Sequence, residues 1–170
     1  MDATRWQPKG AGVDMPTDYT RRLRRIIGSY ESAIIRAYSW GRFKILHQRF
    51  LDEVGQYLPE TGNVLDIGCG FGLFGLYFAS THPERKVHGF DLNAKRIATA
   101  NESARKLGMT NATFHAEDAT KWVGSEKFDA AYMLDIIHHV PPEAVDGILG
   151  QLRSMVSPTG IVVIKDVNNK

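Results

Sequence analysis

Hydrophobic residues between positions 18 and 58 recur at the three- and four-residue spacing of helices that bury one face. They fall at Tyr30, Ala33, Ile34, Ala37 and Tyr38, and again, after Gly41, at Phe43, Leu46, Phe50, Leu51 and Val54. This pattern predicts two or three amphipathic helices, which Pro59 and Gly62 would close. Residues 1–17 carry glycine and proline among small and polar residues, so we expect a flexible arm there.

After residue 59 the pattern changes to short apolar runs that alternate with helical segments. The predicted strands are Val64–Ile67, Lys86–Phe90, Ala112–Ala116, Lys127–Leu134 and Gly160–Val167, and the predicted helices are Leu73–Ser80, Ala94–Leu107 and Glu143–Val156. The runs lack strict apolar–polar alternation, which favours a parallel sheet buried on both faces. We therefore expect an α/β fold, a Rossmann-like doubly wound parallel sheet of about five strands preceded by N-terminal helices.

The first predicted strand runs into a glycine-rich turn, NVLDIGCGFGLFG, at residues 63–75. Gly68, Gly70 and Gly72 form a GxGxG pattern, while Gly70, Gly72 and Gly75 form the GxGxxG pattern of dinucleotide-binding enzymes. Glycines let the backbone turn sharply and approach a ligand directly, and the following helix points its N-terminus at that ligand. The turn predicts an adenosine-bearing cofactor without deciding which one.

Asp66, two residues before the first glycine of GxGxG, favours one class of cofactor over the other. A carboxylate so close to the turn repels a pyrophosphate but attracts a cationic sulfonium. The segment VLDIGCGFG resembles the first motif of class I S-adenosylmethionine-dependent methyltransferases, and the resemblance extends over about residues 60–167. It implies S-adenosylmethionine as the cofactor and a methyltransferase activity.

The resemblance also implies a set of cofactor-binding residues at matching positions. They are Asp66, Gly68, Cys69, Gly70, Gly72, Asp91, Leu92, Asp118, Ala119 and Leu134. Asp91, in GFDLN, would accept hydrogen bonds from the ribose hydroxyls, and Asp118, in HAEDATKW, would receive the adenine amino group. Each acid also has a simpler reading. Asp66 could cap the turn, Asp91 could cap the next helix as Asn93 also could, and Asp118 could be a surface acid.

Candidate catalytic residues lie in the segment DIIHHVPP after the fourth predicted strand. Asp135, His138 and His139 are spaced i, i+3 and i+4, so on a helical turn they would share one face. We expect His138 to act as a base toward a hydroxyl group, while His139 is also read as a packed structural residue. The same three side chains could bind a divalent metal, but three ligands on one turn is tight geometry, and we expect no metal.

The resemblance implies that residues 18–58 form a lid over the domain at residues 59–170. Pocket candidates on this lid are Tyr30, Tyr38, Trp40 and Phe43, each of which is also read as an ordinary core contact. The run RRLRR, Arg21–Arg25, has three readings: a solvated helix face, a contact for an anionic or carrier-bound substrate, or a peripheral contact with acidic lipid.

Charge and composition narrow the expected partners. Residues 1–50 carry ten Lys and Arg against four Asp and Glu, whereas residues 51–170 carry eleven against fifteen. Because the body is acidic, we expect no nucleic acid. The absence of an NPPY-type motif at the fourth strand favours an oxygen or carbon acceptor, and we predict O-methylation of a small molecule at a hydroxyl or carboxyl group. Cys69, the only cysteine, is expected to pack beside the cofactor through its backbone.

No apolar run approaches membrane-spanning length and no signal peptide precedes the first helix, so we expect a cytoplasmic protein.

The family's usual C-terminal pair of strands is absent after the fifth predicted strand. We therefore expect a truncated domain whose fifth strand is an exposed apolar edge, with possible homodimerisation through it. Two alternative functions stay open at this point: a nicotinamide-dependent oxidoreductase, and a catalytically inactive S-adenosylmethionine-binding partner subunit.

Overall fold

The computed structural model describes residues 15–121, 127–140 and 142–166. Most of the predicted arm, residues 1–14, lies outside these ranges, as do the last residues of the predicted fifth strand and of the chain. Residues 15–17, assigned to the arm from the sequence, instead begin the first helix.

Three helices form the N-terminal part, the upper number that the sequence predicts. They are α1 (Met15–Ser29), α2 (Ala33–Ile45) and α3 (Gln48–Gly55). The periodic residues do not continue through one long helix because the chain is broken twice. Ser32 caps α2 by accepting a hydrogen bond from the Ile35 N–H, and a second break follows α2 at Leu46.

The rest of the chain alternates strands and helices as predicted. The strands are β1 (Gly62–Ile67), β2 (Arg85–Phe90), β3 (Ala112–His115), β4 (Phe128–Leu134) and β5 (Val156–Lys165), and the helices are α4 (Leu73–Thr81), α5 (Ala94–Leu107) and α6 (Pro142–Met155). All four strand pairs are parallel, in the order β3-β2-β1-β4-β5. The expected doubly wound α/β sheet is confirmed.

Two hydrophobic cores lie on the two faces of this sheet. Val64 and Tyr132 point into the core that α1 to α5 cover, whereas Leu65 and Ala131 point into the core on the α6 side. All four side chains are fully buried. Successive residues of one strand enter opposite cores because strand side chains alternate, and both faces are dry. This explains the continuous apolar runs in the sequence.

The strand order reverses beside β1, where β2 lies on one side and β4 on the other. The loops that leave the carboxyl ends of β1 and β4 go to opposite faces and open a crevice between them, which is where open α/β sheets bind ligands. The glycine turn follows β1 and the Asp135 segment follows β4, so the fold brings both predicted regions to this crevice.

Strand β5 ends the described sheet and pairs with β4. Ile161 and Ile164 on it are 45% and 41% exposed. The apolar edge expected from the sequence is therefore present among the described strands, and dimerisation through it stays a prediction. Among the residues described, no helix combines the length and apolarity needed to cross a lipid bilayer.

Arg85, the first residue of β2, is buried with 1% of its surface exposed. Its guanidinium donates to the carbonyl oxygens of Leu58, Pro59 and Phe78 and to the Thr81 hydroxyl. These carbonyls belong to the ends of helical segments, where backbone acceptors lack partners within the helix. Arg85 thus joins the end of the N-terminal helical segment to the end of α4.

Replacing Arg85 with leucine is expected to lower the free energy of unfolding by about 3 kcal/mol, since several buried carbonyls would lose their donor. Lys86→Leu provides the control, because Lys86 is the next residue of β2 and is exposed. Urea denaturation of both variants measures the effect. Equal stability of the two variants would show that Arg85 does not hold these helix ends together.

Candidate active site

The glycine turn after β1 has the backbone that the sequence predicts. Gly68, Gly70 and Gly72 have φ angles of 71°, 55° and 74°, in the left-handed region that favours glycine. The N–H groups of Gly68 and Cys69 donate to the Phe90 carbonyl at 2.8 and 3.1 Å, which fastens the start of the turn to β2. Gly72 is the N-cap of α4, so the helix begins directly after the turn.

The three glycines face different surroundings. A Cβ atom on Gly68 would lie 2.6 Å from Ile136 Cδ1, and one on Gly72 would lie 2.8 Å from Ala100 Cβ. A Cβ atom on Gly70 would meet no atom within 4 Å. Gly68 and Gly72 are therefore constrained by packing and backbone angle, while Gly70 leaves bare backbone beside open space. Gly70 is where a ligand can approach the turn most closely.

Asp91 holds the turn in place from the end of β2. Its Oδ2 atom accepts a hydrogen bond from the Gly70 N–H at 2.9 Å, and its Oδ1 atom accepts one from the Asn93 N–H at 2.8 Å. The helix-capping role belongs to Asn93 instead, whose side chain accepts hydrogen bonds from Lys95 N and Arg96 N. A carboxylate has about four acceptor positions, so two hydrogen bonds leave Asp91 able to accept more.

Asp66 does not lie on the open side of the turn. A ligand in the crevice would therefore not contact its carboxylate directly, although the sequence suggests such a contact. It is 3% exposed, and its Oδ2 atom packs against α4, 3.1 Å from where a Cβ atom on Gly75 would lie. The reason is alternation, because Asp66 is a residue of β1 and its side chain points into the core. Neither Asp66 Oδ2 nor the buried Tyr132 hydroxyl has a hydrogen-bond partner among the described residues.

Burial raises the pKa of Asp66 to about 7; the neighbouring Tyr132 hydroxyl opposes this rise and the negative charge of Asp91 adds to it. Its charge near neutral pH therefore depends on what occupies the crevice. A nearby cation would favour the ionised form. A buried carboxyl group of this kind, with one oxygen lacking a partner and next to a cleft, is typical of functional sites.

The remaining predicted cofactor residues lie around the carboxyl edge of the sheet. Cys69 is 9% exposed, and burial raises the pKa of its thiol, so it is an unreactive packed residue. Leu92 is 76% exposed directly after Asp91, whereas Leu134 is buried at the end of β4. Asp118 is partly buried after β3 and pairs with Lys121 at 3.4 Å, and Ala119 begins the 3-10 turn beside it. Their contacts with a cofactor stay predictions.

Asp135 lies outside the helical turn on which the sequence predicts it together with His138 and His139. The helical segment is a short 3-10 turn, Ile137–His139, and Asp135 precedes it with φ of +56°. Asp135 instead binds Arg42 of α2, with 2.9 Å between its Oδ2 atom and the Arg42 guanidinium. The His139 side chain lies outside what the structure describes. Elsewhere in the described residues, no group of three His, Cys, Asp or Glu could hold a metal ion.

His138 is paired with Asp166, a residue that the sequence reasoning missed. The imidazole Nδ1 atom lies 2.7 Å from Asp166 Oδ1, and the His138 N–H donates to Asp166 Oδ2 at 3.1 Å. The two side chains are 24% and 15% exposed. Asp166 directly follows β5, as Asp91 follows β2 and Asp135 follows β4, so the rule that acids at strand ends gather at one edge would have found it.

Helix α2 and its start lie against the glycine turn. The Tyr30 hydroxyl donates to the Phe71 carbonyl at 2.9 Å, and the Tyr38 ring packs edge-on against Phe71 at 5.9 Å. Together with the Arg42–Asp135 ion pair, these contacts tie the N-terminal helices to both sides of the crevice. No motif in the sequence marks Arg42.

Two of the four proposed pocket residues lie in the core instead. Phe43 is 3% exposed and packs against Phe74. Tyr30 is 1% exposed, and only its hydroxyl group reaches the glycine turn. Tyr30 lies between α1 and α2, and Phe43 lies on the buried side of α2. The other predicted positions of the first apolar stripe, Ala33, Ile34, Ala37 and Tyr38, are exposed, so the buried face predicted there is wrong. Tyr38 and Trp40 are about half exposed, at 51% and 48%.

The sequence profile of a family described as "Methyltransferase domain" matches residues 64–160. The chain is 40% identical over 67 residues to the 23S rRNA (uracil(747)-C(5))-methyltransferase RlmC of Yersinia pestis, an alignment that covers 39% of this chain and 17% of that enzyme. The chain thus spans only a small part of the length of this curated relative.

Two solved structures show the same fold over most of the chain. The magnesium protoporphyrin IX methyltransferase ChlM of Synechocystis PCC 6803, with bound SAM, is 25% identical with a TM-score of 0.59, over 88% of this chain and 75% of that one. A SAM-dependent methyltransferase from Thiobacillus denitrificans, in complex with S-adenosyl-L-homocysteine, is 26% identical with a TM-score of 0.59, over 69% and 48% of the two chains.

Replacing Asp66 with asparagine is expected to change how stability depends on pH. The folded pKa, about 7, is above the unfolded value, so the folded state binds more protons between about pH 4 and pH 7. Stability of the natural chain should therefore fall as pH rises through this window. The Asp66→Asn variant lacks this loss. Its free energy of unfolding, relative to that of the natural chain, should be higher at pH 8 than at pH 5 by up to about 3 kcal/mol.

Urea denaturation at both pH values measures this difference. Asp146→Asn is the matched control, since Asp146 is exposed on α6. If the free energy of unfolding changes by the same amount between pH 5 and pH 8 in Asp66→Asn and Asp146→Asn, Asp66 does not ionise near neutral pH.

Proposed function

This chain belongs to the methyltransferase domain family, of the S-adenosylmethionine-dependent kind, and we propose that it methylates a hydroxyl group of a small molecule. The observation that carries the proposal is the glycine turn pinned to Asp91, with open space in front of Gly70.

The donor set around the turn fits S-adenosylmethionine. Gly70 presents bare backbone, and Asp91 has acceptor capacity left for two adjacent ribose hydroxyls. Exposed Leu92 would flank the adenine, with Asp118 and the Ala119 N–H at its edge. When bound, the cofactor supplies a methyl group on a positively charged sulfur atom.

Asp66 contributes through its charge rather than by contact. Its unpartnered oxygen lies beneath the turn, and its pKa near 7 means that a positive charge in the crevice would shift it toward the ionised form. The product, S-adenosylhomocysteine, lacks the positive charge and would lose this attraction. The arrangement thus favours binding of the donor over retention of the product.

Methylation of a hydroxyl requires a base, and His138 is the candidate. Asp166 accepts hydrogen bonds from the backbone N–H and the ring Nδ1 of His138. The imidazole is therefore held in one orientation, with Nε2 as the basic atom. The acceptor O–H proton would pass to His138 as the oxygen forms its bond to the methyl carbon and the carbon–sulfur bond breaks. Asp166 would then stabilise the imidazolium ion.

A small acceptor is supported by the contacts over the crevice. The N-terminal helices reach both the glycine turn, through Tyr30 and Tyr38, and the segment after β4, through Arg42. An acceptor has to fit between these contacts. The RNA-methylating relative covers too small a share of either chain for its acceptor to be carried over.

Replacing Asp91 with asparagine tests the cofactor assignment. Affinity for S-adenosylhomocysteine, measured by calorimetry, is expected to fall at least about tenfold, because hydrogen bonds to a charged acceptor contribute roughly 1.5–3 kcal/mol each. Asp146→Asn, which removes an exposed acid on α6, should bind within about twofold of the natural chain. Binding of NAD by the natural chain, with no binding of S-adenosylhomocysteine, would overturn the proposal.

His138→Gln and Asp166→Asn test the acceptor chemistry on a panel of phenols, alcohols and carboxylic acids. Both variants should lower kcat by about 10²-fold or more while leaving the affinity for S-adenosylhomocysteine unchanged. Because Asp166 acts through His138, the double variant should be no slower than His138→Gln alone. Turnover that is unchanged in both variants would exclude His138 as the base, and cofactor binding without turnover on any acceptor would favour an inactive partner subunit.

A further inference from the structure

A cleft of about 500 Å³ lies at the opposite edge of the sheet from the glycine turn. Helix α1 forms one wall, which includes Arg21, Arg22 and Arg25. The ends of α4 and α5 and the segment before β3 form the other wall. Apolar side chains, Ile26, Leu107 and Met109, contribute to the lining. A volume of this size is typical of sites for small ligands.

The cleft is separate from the proposed active site. Helices α4 and α5 connect parallel strands, so they run back across the sheet, and their C-terminal ends lie at the amino edge of the strands. Each strand of six residues is roughly 20 Å long. A small molecule in this cleft therefore cannot reach the crevice at the carboxyl edge.

One arginine of the cleft is fixed, and two have no partner among the described residues. Arg22 donates to Asp18 Oδ2 at 2.7 and 3.0 Å and also to the Ser80 carbonyl, which holds it against α4. Arg21 and Arg25 are exposed and make no hydrogen bond or ion pair with any residue that the structure describes. They are four residues apart on α1 and so lie on one face of the helix.

The charges of the cleft match a doubly charged anion. Three arginines and one acid, Asp18, line it, which leaves two positive charges. A phosphate monoester carries about −1.5 to −2 at neutral pH, and its three oxygens can accept from several guanidinium groups at once. The apolar part of the lining would contact the body of the ligand.

We propose that this cleft binds the phosphate group of a small phosphorylated ligand, independently of the cofactor. Arg21 and Arg25 close on the phosphate, and Arg22 is held in place by Asp18 and Ser80. The phosphate could belong to a soluble ester or to a lipid headgroup at a membrane surface. Both sources share the chemistry of the site, and the experiment separates them.

The test uses phenyl phosphate, a phosphate monoester with an apolar body, titrated into the whole chain at an ionic strength of about 0.15 M, where exposed charges are screened beyond roughly 8 Å. We expect the Arg21→Gln/Arg25→Gln variant to bind it at least about tenfold more weakly than the natural chain. The control is Arg24→Gln/Arg49→Gln, which removes the same charge from exposed positions that do not line the cleft. Its affinity should stay within about twofold of the natural chain, because distant exposed charges are screened.

Two further measurements decide the site and the source. Saturation with S-adenosylhomocysteine should leave phenyl phosphate affinity unchanged, which holds whether or not the chain turns over an acceptor. Vesicles of phosphatidylcholine with phosphatidic acid distinguish the two sources. If the natural chain cosediments with them and the Arg21→Gln/Arg25→Gln variant does not, the ligand is a lipid headgroup. If the natural chain does not cosediment, the ligand is a soluble ester. Equal weakening in both double variants, or displacement of phenyl phosphate by S-adenosylhomocysteine, would overturn the proposal.

Discussion

The hydrogen bond from the Gly70 N–H to the Asp91 carboxylate holds the arrangement of the site together. It joins the turn after β1 to the turn after β2, two segments that are adjacent because their strands pair in parallel. The turn can present this donor only with left-handed glycines, since side chains at Gly68 and Gly72 would collide with Ile136 and Ala100. The turn, the start of α4 and the acid are thus fixed relative to one another before any ligand binds, which lowers the entropy cost of binding.

Other features of the site work against stability. Asp66 is buried without a hydrogen-bond partner for one oxygen, and burial raises its pKa to about 7. Asp135 has φ of +56°, a conformation that costs most side chains energy although aspartate tolerates it better than others. Both residues lie at the carboxyl edge of the two central strands. The sheet behind these residues is buried on both faces. Energetically unfavourable groups that cluster at a crevice are typical of functional sites.

The N-terminal helices belong to the same arrangement. They cover one face of the sheet, and they also contact both loops of the crevice, through Tyr30 and Tyr38 on the glycine turn and through Arg42 on Asp135. A displacement of α2 would therefore disturb the turn and the segment after β4 together. The arginine cleft on α1 lies at the far edge of the sheet, so one helical segment contributes to two separate regions of the molecule.

The sequence by itself determined the element order, the parallel sheet and the glycine turn, because these depend on local backbone preferences and on short-range hydrophobic spacing. It placed α5 at Ala94–Leu107, because Asn93 and Gly108 are strong end signals. Only the tertiary structure decided that Asp66 points into the core, that Asp135 binds Arg42 and that His138 binds Asp166. These pairs are separated by 93 and 28 residues along the chain, and no local pattern encodes which distant side chain will arrive opposite a given one. That choice depends on the strand order, which sets which loops meet at one edge of the sheet.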